Sequence, residues 1–381
     1  MSELKNKKRE VSVTIHAESE AATRMKLQSL FILLAFLTAK TACYSQSGDS
    51  FKPEGKVVVQ VINRTLYEND GNTGKYGMYI NRAHFGYRYQ FAPKWSGTVI
   101  VDAGRPTVFG NLSVTDTSGN NLSNSYNYKE GSYYSMTLKF SYLEYNPTPK
   151  IKLQAGGILQ NHYITQEKFW GYRYILETFD DRYFGIPSAD LGFIGYFSPL
   201  EWLSFDAMLT NGEGFRFNQD VHGRIKYAAG IDIKPVRGWI TRFYYDNSTS
   251  SDPAKPATQQ LLSAFSGYRL PGLFRIGAEY NYHINHGNLQ NKDLYGLSVF
   301  GSYEMSETFE FFGRYDNLKS NNLSGSADPW HFSDDGQAYI AGIHFVPAKN
   351  VSLSLSYQGW QPADESKKFK NTVAFSFEFR L

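Results

Sequence analysis

The sequence predicts an all-β protein: a 16-stranded antiparallel transmembrane β-barrel with short turns at one end and longer loops at the other. Three observations point there. The 381-residue chain is rich in rings (Tyr 28, Phe 28, Trp 6; 16% of residues) and in Gly (33), with only 20% charged residues. Apolar and polar residues alternate with period two over most of its length. A proline-containing turn recurs along it. The single Cys excludes a disulfide framework and any Cys-ligated cluster.

The N-terminal segment comes first. Leu27 to Leu37 (LQSLFILLAFL) is an apolar run preceded by Lys26 and followed by small or polar residues. It is too short to cross a bilayer as a helix and has the layout of a secretory signal. Met25 stands just before it, so residues 1–24 are expected to be a start-site extension and 25–45 the signal peptide. Cleavage is expected near Ser45–Gln46. Lys40 sits three residues before Cys43, where a lipoprotein signal wants a small residue. Residues 46–55 then form an N-terminal stretch and 56–381 the barrel. Removing the first 45 residues leaves 32 of 39 basic and 32 of 36 acidic residues. The formal charge of +3 belongs to the removed piece, so no basic field for nucleic acid is expected.

The turns come next. An apolar end, a Pro and a new start recur at Phe91-Ala92-Pro93, Tyr145-Asn146-Pro147, Phe197-Ser198-Pro199, Ile233-Lys234-Pro235, Arg269-Leu270-Pro271 and Phe345-Val346-Pro347. Met305-Ser306-Glu307 is a version without Pro. From the third turn onward the spacing is about 35–41 residues, room for two strands, a short turn and a modest loop. No proline is expected inside a strand, where it would delete a ladder bond.

Between turns, Tyr79, Ala83, Phe85, Tyr87, Tyr89 and Phe91 are read on one face, and Arg82, His84, Arg88 and Gln90 on the other. Phe274, Ile276, Ala278, Tyr280 and Tyr282 oppose Arg275, Glu279, Asn281 and His283. Val351, Leu353, Leu355 and Tyr357 oppose Ser352, Ser354, Ser356 and Gln358. Seven turns join strands two to fifteen, Lys56–Tyr67 supplies the first strand and Lys370–Leu381 the last, giving sixteen. An even count with both ends on the turn side fits a bacterial outer-membrane barrel, turns facing the periplasm and eight loops facing outside. Trp95, Trp202 and Trp239 each follow a turn Pro, as an interfacial aromatic girdle would. A soluble β-sandwich explains the alternation equally well, but not an unbroken series of hairpins.

A sixteen-strand barrel is wide enough for an aqueous channel. The candidate pore-lining cations are Arg64, Arg82, Arg88, Lys139, Lys152, Arg224 and Lys226. Acids gather in later strands, at Asp232, Asp246, Glu279, Glu304, Glu310, Asp316 and Glu378, so a transverse field is expected. The third loop, about Tyr163 to Ser188, is long and carries Lys168, Arg173, Glu177, Asp180, Asp181 and Arg182. These are the candidate constriction residues. The second loop, 111–132, is polar and reads as an exposed surface loop.

Two stretches carry a family resemblance: Ile80-Asn81-Arg82-Ala83-His84-Phe85-Gly86-Tyr87, and Asp181-Arg182-Tyr183-Phe184-Gly185-Ile186-Pro187-Ser188-Ala189-Asp190-Leu191-Gly192. Over roughly Lys56 to Leu381 the chain resembles the phosphate-selective porin O and P family of Bacteroidetes-type bacteria. The family pairs two arginines in the early strand and places Arg before Asp-x-Gly. Here Asn81 and Ala189 stand at those places, and Arg82 keeps one match. The resemblance implies a homotrimer in contact with outer-membrane lipid and lipopolysaccharide. It also implies passive diffusion of small ions or solutes, with an anion or phosphate preference.

The remaining signals are weaker. His283 and His286 would fall on opposite faces of a strand, so no joint metal site is expected. Asp70-Gly71-Asn72 and Ser333-Asp334-Asp335-Gly336 suit turns as well as calcium. No cofactor, metal or catalytic residue is expected. The function read from the sequence is an outer-membrane porin in a Gram-negative bacterium, not an enzyme. The alternative is a barrel enzyme or adhesin acting through its loops.

Overall fold

The computed structural model describes residues 51–104, 114–115, 121–122, 135–216, 219, 224–250 and 252–381. The expected extension, signal peptide and cleavage point, and most of the second loop, lie outside the described residues. The chain divides into residues 1–52 and Pro53–Leu381, and the second unit holds the barrel.

Sixteen antiparallel strands close into a barrel. In chain order they are β1 (Glu54–Asn69), β2 (Gly74–Ala92), β3 (Trp95–Gly104), β4 (Ser135–Thr148), β5 (Ile151–Leu159), β6 (Ala189–Leu200), β7 (Leu203–Thr210) and β8 (Lys226–Ile233). The second half is β9 (Trp239–Ser248), β10 (Gln259–Leu270), β11 (Phe274–Ile284), β12 (Leu294–Glu304), β13 (Phe309–Ser320), β14 (Gly336–Ala348), β15 (Val351–Pro362) and β16 (Lys370–Arg380). Each strand pairs with its sequence neighbours. β16 returns to β1 from Gln60↔Arg380 to Asn69↔Asn371. Val114–Thr115 and Asn121–Leu122 add a small hairpin in the second loop. No described helix is long and apolar enough to cross a membrane.

The seven short turns fall where the sequence places them, but the prolines do not all lie outside strands. Pro147, Pro199 and Pro347 sit within the last residues of β4, β6 and β14. The ladder skips there, between Tyr145 and Thr148, Phe197 and Leu200, and Phe345 and Ala348. Pro has no N–H to give, and a bulge is where none is required. Beside each turn one amide instead reaches the preceding turn: Asn146 N donates to Lys94 O at 2.9 Å, Ser198 N to Lys150 O at 2.8 Å and Val346 N to Thr308 O at 2.9 Å. The recurring aromatic-x-Pro therefore links one turn to the next around the rim.

The faces are inverted relative to a soluble protein. Outside, Phe85, Tyr87, Val99, Phe193, Phe243, Ile276, Leu355 and Phe375 are exposed. Inside, Ser96, Asp102, Glu144, Asp206, Arg242, Glu279, Asp316 and Ser376 are buried. An apolar belt of this extent has its place in hydrocarbon. Trp95 heads β3, Trp202 lies in the β6–β7 turn and Trp239 heads β9, all at the turn end.

One expected face is corrected. A bulge at Asn81 shifts the β1–β2 register between Ile62 and Asn63. It moves Tyr79 to the lumen side, while Tyr76 (83% exposed) and Met78 (79%) share the outside with Phe85. A second bulge at Lys139 interrupts β3–β4.

Replacing lipid-facing Leu355 near the middle of β15 by Arg should destabilise the barrel by about 2–4 kcal/mol. Urea unfolding followed by heat-modifiable gel mobility measures this, and an unchanged midpoint would contradict the assignment of faces.

Candidate functional site

The loop between β5 and β6, residues 160–188, folds into the barrel. It contains α1 (Ile164–Trp170) and α2 (Phe179–Tyr183). Gly171 ends α1 in the left-handed region (φ 74°) and donates its N–H to Glu167 O, a conformation that favours glycine. Asp180 and Asp181 open α2 and Arg182 closes it, matching the helix dipole.

The loop docks through its rings. Trp170, Tyr172, Tyr174, Ile175 and Leu176 pack on Phe265, Phe300, Phe312 and Ile340, which point inward from β10, β12, β13 and β14. Phe179, Phe184 and Ile186 pack on Leu261, Leu294 and Leu318. Each fully buried large side chain contributes about 1.5–3 kcal/mol. The wall makes room: a Cβ on Gly296 would lie 2.2 Å from Phe179, and one on Gly267 would lie 2.6 Å from Phe169.

Hydrogen bonds carry the loop along the same wall. Thr165 donates to Asp232 at 2.9 Å, Phe179 N to Glu279 at 3.2 Å and Tyr183 to Asp316 at 3.0 Å. Tyr172 bonds Glu310, Tyr174 meets His344 Nδ1 at 2.7 Å, and Arg314 donates to Glu177 O. The loop thus packs mainly on the inner wall from β8 to β15, where Tyr174 also donates to Leu353 O, and its apolar clusters include Ile62 of β1 and Ile158 of β5.

Its free face is a charge cluster. The Arg173 guanidinium lies 2.9 Å from Glu167, 3.0 Å from Glu177 and 3.0 Å from Asp181. Burial would raise the Glu177 carboxyl, but Arg173, with Arg182 and Arg82, overrides it and holds the group at about 2. Burial raises Glu167 and Asp181, with Arg173 pulling both back. Lys168 is exposed beside them, and Arg182 lies over the Tyr183 ring. Asp180 does not belong to this face. It is fully buried, accepts from Thr178 at 2.9 Å, and burial with Glu279 nearby pushes its carboxyl well up.

Across from the loop stand the cations of β1–β5. Among the described residues, Arg64, Arg82 and Lys152 have no ion-pair partner within 4 Å. Arg88 pairs with Glu144 at 2.7 Å. Lys139 is buried, 3.4 Å from Asp102. Lys152 rests over the Tyr196 ring, 4.1 Å from its centroid. The remaining two candidates stand apart. Lys226 is buried against Asp246 at 2.8 Å, and Arg224 precedes β8, outside the strand in which the sequence places it.

Sequence reasoning missed several anchoring groups. Arg242 binds Asp206 at 2.7 Å, Asp232 at 3.0 Å and Asn161 O at 2.9 Å, fixing the start of the loop. Asp190 of the Asp-x-Gly stretch accepts N–H bonds from Leu191, Gly212 and Gly214, so it organises the next loop. The inward apolar residues Phe265, Phe300, Phe312 and Ile340 were the available signal, since an open lumen has no use for them.

The expected separation of His283 and His286 is overturned. β11 ends at Ile284, Asn285 turns the chain in the left-handed region, and the two Nδ1 atoms lie 3.0 Å apart. Among the described residues no cluster with a metal-ligand arrangement occurs. Asp70 is engaged as a turn residue, accepting from Asn72 and Thr73 at 2.9 Å each.

No protein-family model matches the chain, including any for the phosphate-selective porin O and P family, and no curated protein matches its sequence. Solved structures do match. The anion-selective porin from Comamonas acidovorans aligns with TM-score 0.61 at 9% identity, covering 87% of this chain and 100% of that one. The outer membrane channel DcaP of Acinetobacter baumannii aligns with TM-score 0.58 at 13% identity, covering 88% and 100%. OmpT, an outer membrane protein of Vibrio cholerae in its trimer form, aligns with TM-score 0.52 at 11% identity, covering 86% and 99%. At these identities the likeness establishes the fold, a closed sixteen-stranded barrel of the outer-membrane porin type.

The buried Asp180 carboxyl makes loop docking pH-dependent. Its pKa in the docked loop lies above the ordinary 3.8, so the docked state holds the proton longer. Docking stability is then full below pH 3.8 and falls as pH rises through the docked value, at up to about 1.4 kcal/mol per pH unit. Protection of amides 172–184 from hydrogen exchange, taken relative to the intrinsic rate at each pH, should fall over that range. Asp180→Asn should flatten the dependence; a profile unchanged by that substitution would refute it.

Proposed function

We propose that this protein is an outer-membrane porin of a Gram-negative bacterium, a passive channel and not an enzyme, with a preference for anions. The carrying observation is the contrast between two charged surfaces of the lumen. One is the β1–β5 wall, where Arg64, Arg82 and Lys152 lack ion-pair partners within 4 Å among the described residues. The other is the free face of the third loop, where three carboxylates converge on Arg173. The loop's Glu167, Glu177 and Asp181 are matched in number by Lys168, Arg173 and Arg182, so its free face offers a permeating cation little. Wall cations without ion pairs offer an anion charged contacts.

The physics of the barrel supports passage. A sixteen-strand lumen is wide enough for water, and the docked loop packs mainly on the β8–β15 side. Charged groups of one sign in a narrow, low-dielectric passage raise the local concentration of the opposite ion. Support also comes from two of the structural neighbours, one an anion-selective porin and one an outer membrane channel. The trimer form of the Vibrio protein supports assembly as a homotrimer. In this reading 25–45 is the export signal, and lipid and lipopolysaccharide surround the apolar belt. The finer assignment to phosphate-selective porins rests on Arg82 and the Asp190 stretch alone.

Purified protein in a planar bilayer under a KCl gradient should give stepwise conductance and a reversal potential of anionic sign. Arg82→Ser with Lys152→Ser should lower the chloride-over-potassium permeability ratio about twofold or more. Adding Arg88→Ser should lower it further, because Glu144 loses its partner. No conductance from folded protein would overturn the porin reading and favour a barrel enzyme or adhesin.

A further inference from the structure

Beneath α1, toward the end that carries the short turns, lies a cavity of about 590 Å³. Lys150, Lys152, Lys168 and Lys234 line it, with Tyr196 and Phe169 among its apolar surfaces. Its two carboxylates, Asp206 and Asp232, are already engaged. Both bind Arg242, and Asp232 also accepts from Thr165 at 2.9 Å. Four lysines therefore line the cavity with no carboxylate partner among the described residues.

We propose that this vestibule is a binding site for flat organic monoanions, such as aromatic carboxylates, taken up through the channel. This rests on the porin reading and names the substrate class of that channel. Two features set the class. The lysines supply charge-assisted donors. The Tyr196 and Phe169 rings supply apolar surface, which a fully hydrated inorganic anion does not use and a planar organic body does. A volume of this size is in the range of small-molecule sites.

Lys152 is the residue poised to act. Its ammonium lies over the Tyr196 ring at 4.1 Å, with no ion pair among the described residues. A cation–π contact at a partly open site is weaker than a charge-assisted hydrogen bond to a carboxylate. An incoming carboxylate therefore draws the ammonium off the ring and frees the ring face for the organic body. Lys168, on the exposed side of α1, closes on the same anion from the loop. Binding thus bridges the β5 wall and the third loop at the vestibule.

The test uses benzoate as probe, with acetate and inorganic phosphate as comparisons. Benzoate added on the turn side of the bilayer should reduce chloride current in a concentration-dependent way, more strongly than acetate or phosphate. Lys152→Gln and Lys168→Gln should each weaken that block about tenfold. Tyr196→Leu should abolish the advantage of benzoate over acetate. Equal block by all three anions, or block unchanged by the substitutions, would overturn the proposal. Saturation-transfer NMR of benzoate with the detergent-folded full chain, its folding checked by heat-modifiable mobility, reads the site without conductance. A protein that binds benzoate through Lys152 but conducts nothing would retain the site and refute the porin reading. One that conducts but does not bind benzoate would do the reverse.

Discussion

Sixteen strands close on themselves because the pairing of β16 with β1 leaves no unpaired backbone edge. In hydrocarbon an unsatisfied N–H or C=O costs several kcal/mol, so a sheet must be closed to reside there. From Gln60↔Arg380 to Asn69↔Asn371 the ladder is continuous, and Leu381 N reaches Val59 O at 3.0 Å. Everything else depends on closure. It fixes one apolar face and one polar face, and it makes the interior a space that the loops can enter.

The interior is divided by what the third loop covers. On the β8–β14 side, ring packing and hydrogen bonds to Asp232, Glu279, Glu310 and Asp316 seat the loop, and the acids of that wall are consumed in holding it. On the β1–β5 side Arg64, Arg82 and Lys152 have no ion pair within 4 Å among the described residues. Charge asymmetry is thus a consequence of packing. The strands carry nearly balanced charge, and on the loop's side the wall acids are ion-paired with Arg242, Arg275 and Arg314 of the same wall.

The bulges serve the same division. Asn81 and Lys139 interrupt the ladder on adjoining hairpins of the β1–β5 wall. A bulge re-aims the side chains around it. Here the one at Asn81 brings Tyr79 to the inside while Arg82 keeps its inward direction. The resemblance stretch Ile80-Asn81-Arg82 therefore spans the irregularity that shapes the wall opposite the loop.

Strand count, the seven turns, the inward polar face and the length of the third loop were legible in the sequence. Each is a local property: period-two alternation, a Pro that cannot join a ladder, a run of loop residues. The alternation failed at Asn81, because one extra residue inverts parity without leaving a hydrophobic gap. Strand spacing does not reveal the His283–His286 contact, because the chain turns at Asn285 between them. The docking of the loop, the burial of Asp180, Lys139 and Lys226, and the identity of the cations left without ion pairs were decided only by the tertiary structure. Those depend on partners distant in sequence, such as Tyr174 with His344 or Arg314 with Glu177, which no local pattern encodes.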